Sequence, residues 1–556
     1  MKKVTLLEVY FLPPMAMARL GNSDMPLEAF SWEEDLRAHS ACQTIIRPQV
    51  SFLVRPDGSL EAYLPQEIRF KDEGKIRPVA PFFELWAEVL VAGEGQQQVP
   101  VTLDLLAELG VSLEQHLLIR AHAANTKASR RVKDPACSFG ARLTIRGDDH
   151  SKHNLLAVSP SFPEREPLVY EDAPISLGHV QLIRPVASES LGQDLSCVRV
   201  RFTPAKGEVY GSTEATMGAV SPLEPGRQLP YASIAARMHE IVPEANRILN
   251  PHTPWSEYIM DSGMADDPQP SDSYDGANVG QSICWGTVDD TCEIVLYAEL
   301  TVKGQRFSAS TRAFVAPPDY APDRRPFFSM ADELADRELS PVAVTADTAE
   351  LTALEVHDLF KRIFETTNLL NLDASRDYLI RENLKRAPVD HWPSPPHIGR
   401  EGMTKADKPL SRLSSDVLDD GLSDRPHEGH SRLPYTEMSA HAHGSFTSLD
   451  YLITFLKMRG DRVRQMIRPP FGSFKQLPTE PAADPHPEFR DPRVFRDTLH
   501  DMRMPPYMRD SDREPLSLTR RQYQTLMNYL TFLEQQEGAA ESTAQSPVKP
   551  APEMQS

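Results

Sequence analysis

Cysteine is scarce in this sequence, and long apolar runs are missing. Only five Cys occur among 556 residues, at positions 42, 137, 197, 284 and 292, too few and too widely spaced for a disulfide framework. We therefore expect free thiols in a reducing compartment. No stretch approaches the ~20 apolar residues of a membrane-spanning helix, and Glu8 and Pro13 interrupt an apolar start that superficially resembles a signal peptide. The sequence thus predicts a cytoplasmic protein with no membrane association.

The motifs of several enzyme classes are also missing. There is no Gly-x-x-x-x-Gly-Lys-Ser/Thr or Gly-x-Gly-x-x-Gly run to hold phosphate, and no Gly-x-Ser-x-Gly elbow to expose a serine nucleophile. Acidic residues dominate, since 79 Asp and Glu against 59 Lys and Arg give a net charge of −20. Nucleic acids and anionic membranes repel such a protein. We expect no nucleotide-driven chemistry and no nucleic-acid partner.

Glycine is scarce, whereas proline is abundant. The 49 Pro make up about 9% of the chain against a typical ~5%, and the 27 Gly about 5%, which is below the usual ~7%. Many connections should therefore be stiff and extended. A chain of 556 residues exceeds one compact core, so two or three domains are expected.

The pattern over residues 1–335 predicts a large, mainly antiparallel β domain. Short segments rich in β-branched and aromatic residues, several with period-two alternation, are bounded by Pro, Gly and Asp. The clearest are residues 50–54, 82–89, 179–183, 197–202 and 294–300. One helix should interrupt them at about residues 230–248, where Ile234, Met238 and Ile241 recur at helical spacing.

After residue 340 the apolar period becomes helical. In a helical segment over residues 340–390, one apolar helix face is predicted, formed by Leu351, Leu354, Leu359, Ile363 and Phe364. Residues 391–440, rich in Pro, His and Ser, should be a linker or a surface excursion.

A second helical domain is predicted over residues 441–536. Its last helix begins at a capping box formed by Thr519 and Gln522, and Leu526 and Leu530 follow on one face. Residues 537–556 are expected to be a disordered tail. The fold class expected from the whole chain is α+β, a β-rich N-terminal region followed by a mainly helical C-terminal region.

Three charged residues are candidates for catalysis or binding. Asp289 and Asp290 form a carboxylate pair, and like charges held close together raise one pKa into the range that acid–base chemistry uses. Arg19 could hold a carboxylate through two hydrogen bonds. A structural role is the alternative for all three, because Asp pairs also cap turns and Gly21-Asn22 after Arg19 is typical of a tight turn.

A cluster of histidines supports a separate metal hypothesis. His427, His430, His441 and His443 lie close together in a polar segment. Imidazole ligands suit zinc or another transition metal. Because the spacing matches no His-Glu-x-x-His motif, hydrated linker histidines are the alternative interpretation.

Several short boxes in a fixed order resemble one known family. They are Arg19-Leu20-Gly21-Asn22-Ser23, Phe70-Lys71-Asp72, Ala124-Asn125-Thr126-Lys127-Ala128, Trp285-Gly286-Thr287-Val288-Asp289-Asp290, Ala316-Pro317-Pro318-Asp319, Met504-Pro505 and Thr519-Arg520-Arg521-Gln522-Tyr523. Their order over most of residues 15–535 is similar to that of the LodA-like quinoprotein oxidases. The resemblance implies a β-rich scaffold and oxidation of the amine of an amino acid, with release of ammonia and hydrogen peroxide.

The resemblance also implies a cofactor whose two precursor residues are missing from the C-terminal part of this sequence. In that family one Cys and one Trp of a C-terminal region form cysteine tryptophylquinone, and a separate flavoprotein matures it. Here no Cys follows Cys292 and no Trp follows Trp392. Cys292 or Cys197, paired with Trp285 or Trp255, remain as quinone candidates, while Cys284 should point away from its neighbour Trp285 on a strand. We therefore predict no cofactor, with a quinone or a transition metal as the exceptions.

Two functional hypotheses follow. The first is a LodA-like scaffold without the quinone, a binding, assembly or accessory protein of secondary metabolism with a protein partner or a second copy of itself. The alternative is an oxidoreductase that acts on an amino acid or another small amine, through a quinone or through a metal held by the histidines.

Overall fold

The computed structural model describes residues 4–34, 44–214, 242–257, 286–319, 321–327, 329–340, 343–369, 449–467 and 518–544. The chain divides into two compact units, Met1–Ser31 with Arg47–Tyr320 and Trp32–Ile46 with Ala321–Ser556. The sequence places this division at residues 335–340 and gives no sign that residues 32–46 join the second unit.

Strands are the main regular elements in the described part of the first unit. In chain order the strands are β1 Val4–Leu12, β2 Met15–Arg19, β3 Phe30–Glu34, β4 Thr44–Pro48, β5 Ser51–Val54, β6 Leu60–Tyr63, β7 Lys71–Asp72, β8 Lys75–Ile76, β9 Phe82–Val91, β10 Gly95–Pro100, β11 Leu117–Asn125, β12 Phe139–Arg146, β13 His153–Ala157, β14 Ile175–Leu182, β15 Glu189–Ser190, β16 Gln193–Asp194, β17 Arg199–Thr203, β18 Val209–Ser212, β19 Arg247–Leu249, β20 Val288–Asp289, β21 Glu293–Val302 and β22 Gln305–Ala316. All five strand segments singled out from the sequence are confirmed, as β5, β9, β14, β17 and β21.

Helices are short in the first unit and longer in the second. They are α1 Leu103–Leu109, α2 Leu113–His116, α3 Lys127–Val132, α4 Pro254–Glu257, α5 Met330–Glu338, α6 Ala349–Leu369, α7 Leu449–Met466 and α8 Arg520–Ala544, with 3₁₀ turns at Pro135–Cys137 and Glu244–Asn246. The predicted α+β class, β-rich first and mainly helical later, is confirmed.

Two sheets form the core of the first unit. One has the order β1-β9-β17-β14-β13, with β10 also paired to β9, and the other has the order β12-β11-β21-β22-β2. Every pair in these two sheets is antiparallel except β2 with β22. Alternate residues of β9 (such as Phe83), β11 (such as Ile119) and β21 (such as Ile294) are buried in one shared core, each side chain contributing roughly 1.5–3 kcal/mol.

The prediction of a helix over residues 230–248 is wrong for residues 242–248, the part that the structure describes. Residues 230–241 lie outside the described residues. Beyond them Glu244–Asn246 forms a 3₁₀ turn, and Arg247–Leu249 is strand β19, parallel to β18. Pairing with a strand distant in sequence is a tertiary effect that overrides the helical spacing of apolar residues.

The face that α6 buries agrees only in part with the predicted one. Leu351 and Leu354 are 68% and 49% exposed, whereas Val356 and Phe360 are buried with Leu359. The helix is present as predicted, and Ile363 of the predicted face is buried as well. At the start of the helix the buried face is different, because Val356 and Phe360 take part in the core of the second unit.

The last two described helices agree with their patterns. Leu452 and Leu456 of α7 are buried. The capping box of α8 is present, since the Gln522 N–H donates to Thr519 Oγ1 at 3.2 Å and the Thr519 N–H donates to Gln522 Oε1 at 3.0 Å. Helix α8 continues to Ala544, so the first part of the tail expected from residue 537 is helical. Its alanines favour that conformation.

Candidate functional site

Asp289 lies at the centre of a buried polar cluster made by two of the sequence boxes. Its Oδ2 accepts from Lys127 Nζ at 2.8 Å, and its Oδ1 accepts from Asn125 Nδ2 at 3.2 Å and from Thr291 Oγ1 at 2.6 Å. Asn125 ends β11 and Lys127 begins α3, while Asp289 ends β20. The carboxylate is 1% exposed, and the ammonium and the polar hydrogens compensate its charge.

Asp290 has a different environment, although it is the next residue. Since Val209 of β18 lies opposite Asp289, Asp290 Oδ2 meets the N–H groups of Gly207 and Glu208 at 3.0 and 2.9 Å. Its Oδ1 is buried and finds no hydrogen-bond partner among the described residues. Burial raises the pKa of Asp290 to about 7, Asp289 adds to the rise, and the two backbone N–H groups oppose it. This carboxyl can therefore hold a proton near neutral pH.

The groups that surround Asp290 are also protonated. Burial raises the pKa of the Cys292 thiol, which lies 3.9 Å from the carbonyl oxygen of Leu177. Burial likewise raises the pKa of Tyr210, whose hydroxyl donates to Glu208 Oε2 at 3.3 Å. Because both Asp carboxyls are 1% exposed, a substrate would reach them only if the chain moved. The cluster therefore keeps its charged and protonated groups inside the fold, away from solvent.

Arg19 joins the first box to the Ala-Pro-Pro-Asp box. Its Nη1 donates to the carbonyl oxygen of Pro317 at 3.2 Å, and its Nη2 pairs with Asp319 at 3.3 Å. The Leu20 N–H donates to the carbonyl of Ala316 at 2.9 Å. The Arg19 side chain is 31% exposed, so this ion pair contributes little stability by itself and serves to fix the end of β2 beside β22.

The same first box also contacts the Phe-Lys-Asp box. Ser23 Oγ donates to Asp72 Oδ2 at 3.2 Å, and Asn22 Oδ1 accepts from the Ile76 N–H at 2.8 Å. Gly21 is required at this point, because a Cβ there would lie 2.5 Å from the backbone nitrogen of Pro78. The box therefore forms a tight crossing of two chain segments.

The quinone candidates are not brought together among the described residues. Trp285 and Cys284 lie outside them, and Cys292 contacts Leu177 instead. The Cys137 thiol does lie beside Trp255, whose backbone forms a hydrogen bond with it. Burial nevertheless raises the pKa of Cys137 to about 11 and that of Cys197 to about 12, so both are thiols and not thiolate nucleophiles at neutral pH.

The metal hypothesis falls outside what the structure describes. His427, His430, His441 and His443 all belong to the undescribed range 401–448. Within the described ranges, no group of three or more His, Cys, Asp and Glu side chains is placed to hold a metal ion.

A charged cleft was not foreseen from the sequence. It has a volume of about 580 Å³, and its lining includes Asp57, Arg146, Asp148, His150 and Arg184. His150 Nδ1 lies 3.2 Å from the carbonyl oxygen of Leu182, and burial lowers the pKa of this imidazole. The sequence does show a dense run of charged residues after β12, but such a run is equally typical of an ordinary turn and does not indicate a cleft.

Comparison with known proteins leaves the family open. A scan against protein-family models finds no match, and a search of curated proteins finds no similar sequence. Among the described residues, no helix has the length and apolar character needed to cross a membrane.

Proposed function

We propose that this chain is a binding or assembly scaffold that resembles the LodA-like quinoprotein oxidases and works without a quinone of its own. It would act in the cytoplasm as an accessory protein of a biosynthetic pathway. Its partner would be another protein or a second copy of the chain.

The observation that carries the proposal is the pairing of the sequence boxes with one another. Arg19 and Ser23 engage Asp319 and Asp72, and Lys127 engages Asp289. The polar atoms that a catalytic interpretation would need for substrate are thus used in holding strands and loops together. Motifs used in this way can be kept by a protein that has no oxidase chemistry.

The state of the thiols gives a second argument. Forming a thioether to an indole requires a reactive sulfur close to the ring. Cys137, Cys197 and Cys292 are all buried, and burial raises the pKa of each of them. Such thiols suit a folded core better than a redox centre.

Mass spectrometry tests the absence of a quinone. The full-length protein should be purified from its own host, so that any maturation partner is present. We expect the intact mass to equal that of the unmodified sequence and expect no quinone absorbance. A Cys–Trp crosslinked peptide with the mass deficit of a quinone would refute the proposal.

A second candidate, implied by the resemblance of the sequence boxes, is an oxidoreductase acting on an amino acid or another small amine; Cys137, which receives a hydrogen bond from the backbone of Trp255, is the described thiol to test in it. A peroxide-coupled screen over amino acids tests it, with Cys137→Ser as the matched variant. Peroxide release by the wild type that Cys137→Ser abolishes would support this candidate. If release instead follows a transition metal that the replacement of His441 and His443 by Ala removes, the metal form of the oxidase is supported.

A further inference from the structure

Two arginines lie almost completely covered on one side of strand β17. Arg199 and Arg201 are 6% and 8% exposed, and their spacing of two residues places both side chains on the same face of the strand. Each guanidinium lies over an aromatic ring, Arg199 over Phe52 at 5.4 Å and Arg201 over Phe82 at 4.7 Å. Residues of the small cluster that includes Leu60 cover this face.

The charges in this region do not balance. Arg199 pairs with Glu84 at 2.6 Å, and the nearby buried Arg77 pairs with Glu28. Among the described residues, Arg201 has neither a carboxylate partner nor a hydrogen-bond acceptor, and its Nε is buried without one. Three buried guanidiniums therefore have two carboxylates between them.

The neighbours of Arg201 do not supply the missing negative charge. Burial, together with the nearby charges of Lys152 and Arg201, lowers the pKa of His179 to about 4, so this imidazole is neutral. Burial raises the pKa of Tyr63, which keeps its hydroxyl protonated. Gln181, opposite Arg201 on β14, uses its amide N–H on the carbonyl oxygen of His150 at 2.9 Å.

A guanidinium in this position stays charged. Burial lowers the pKa of Arg201 only to about 10, and arginine is protonated at neutral pH in proteins. A cation–π contact with Phe82 compensates part of the lost hydration, but a buried charge normally needs an opposite charge with hydrogen bonds as well. The position therefore calls for an anion that the polypeptide does not provide.

We propose that Arg201 anchors a binding site for a small oxyanion, a carboxylate or a phosphate, on the outer face of β17. The planar guanidinium fork matches the oxygen geometry of such ions. Arg199, two residues away on the same face, is the candidate for a second donor, because its Nη1 is buried without an acceptor among the described residues. This site goes beyond the proposed scaffold function and does not depend on it.

Calorimetric titration of the full-length chain tests the site. Phosphate and acetate are added separately at constant ionic strength, and chloride serves as the anion that has no oxygens. We expect one oxyanion to bind per chain. Whether phosphate or acetate binds tells which of the two oxyanion classes the site takes, and chloride should bind more weakly. Wild-type protein that binds neither oxyanion at millimolar concentration would overturn the proposal.

Two variants and a matched control assign the binding to Arg201. Arg201→Met should weaken binding by at least about tenfold, and Arg201→Lys should retain part of it because the charge remains. Arg165→Met is the control, since Arg165 also lies over a ring, Phe162 at 6.0 Å, but has its own carboxylate partner in Asp134. Unchanged binding in Arg201→Met would also overturn the assignment. If Arg201→Met does not fold, the titrations of the wild type and of Arg201→Lys still test whether the site exists and whether it depends on Arg201.

Discussion

Asp290 should make the first unit less stable as the pH rises through the range of its raised pKa. The carboxyl is 1% exposed, and one of its oxygens has no partner among the described residues. Burial raises its pKa from 3.8 to about 7. The folded state therefore binds the proton more tightly than the unfolded state, in which the ordinary pKa applies.

The sign of the effect follows from proton linkage. For a raised pKa the stabilising contribution is complete below pH 3.8 and is lost as the pH rises to about 7. A shift of about three units corresponds to about 4 kcal/mol of unfolding free energy. Other titrating groups add their own slopes, so the contribution of Asp290 is the difference between the wild type and a variant that cannot ionise at this position.

Asp290→Asn is that variant. The amide has the shape of a protonated carboxyl, and its oxygen can accept the two N–H bonds from Gly207 and Glu208. We expect the unfolding free energy of Asp290→Asn, relative to that of the wild type, to rise by about 3 kcal/mol between pH 4 and pH 7, because the full difference of about 4 kcal/mol is reached only above pH 7. The assay is urea unfolding of the full-length chain, followed by hydrogen exchange in peptides from Glu293–Val302, because two units need not unfold together.

Asp57→Asn is the matched control. Asp57 is an exposed carboxylate whose pKa is lowered by hydrogen bonds from Ser59, so its contribution is lost only as the pH falls through its lowered pKa, below the range tested. Its pH curve between 4 and 7 should run parallel to that of the wild type. Parallel curves for Asp290→Asn as well would show that Asp290 ionises normally, and the electrostatic account of this cluster would be wrong.

Three further predictions concern stability, each measured by the same urea and exchange assay. Lys127→Met should lower the unfolding free energy by roughly 1–3 kcal/mol, which is less than breaking a fully buried ion pair would cost, because the lysine side chain is 32% exposed. The double variant with Asp289→Asn should recover part of this loss, and a purely additive result would contradict the pairing. Gly178→Ala should lower the unfolding free energy by about 3 kcal/mol or more, because the new Cβ would lie 2.1 Å from the carbonyl oxygen of Thr203. Gly93→Ala, which has open space around it and only the strain of a positive φ, should lower it by about 1–2 kcal/mol. Equal losses would contradict the clash. Thr519→Ala should destabilise the second unit by about 1 kcal/mol through loss of the helix cap, and unchanged exchange in α8 would contradict that role.

The strands and the last helix could be predicted because their signals are local. Period-two alternation in β9 and β21 reflects one buried face of a sheet, and the Thr519–Gln522 box is a contact between residues three apart. The buried face of α6 could be obtained only in part in this way. Leu351 and Val356 are both apolar, and only the tertiary neighbours decide which of them is buried.

The candidate site shows the same limit. The sequence identified Asp289, Asp290 and Arg19, but it could not pair Lys127 with Asp289 across the 162 positions that separate them. Nor could it single out Arg201, whose flanking residues Val200 and Phe202 are typical of any strand. An arginine without a counter-charge becomes visible only when its surroundings are known.

The Asp289-Asp290 pair shows how one motif can contain two electrostatic roles. Neighbouring residues at a strand end face opposite sides, so Asp289 meets the ammonium of Lys127, while Asp290 accepts hydrogen bonds from backbone N–H groups and has no cation beside it among the described residues. The first carboxyl is thus compensated as an anion, and the second is stabilised as an acid. Of the two carboxyls, Asp290 is the one that could exchange a proton near neutral pH, and exposing it requires the Gly207-Glu208 segment to separate from it. A substitution that loosens this segment should therefore return the pKa of Asp290 toward its ordinary value, whereas loss of Lys127 should not.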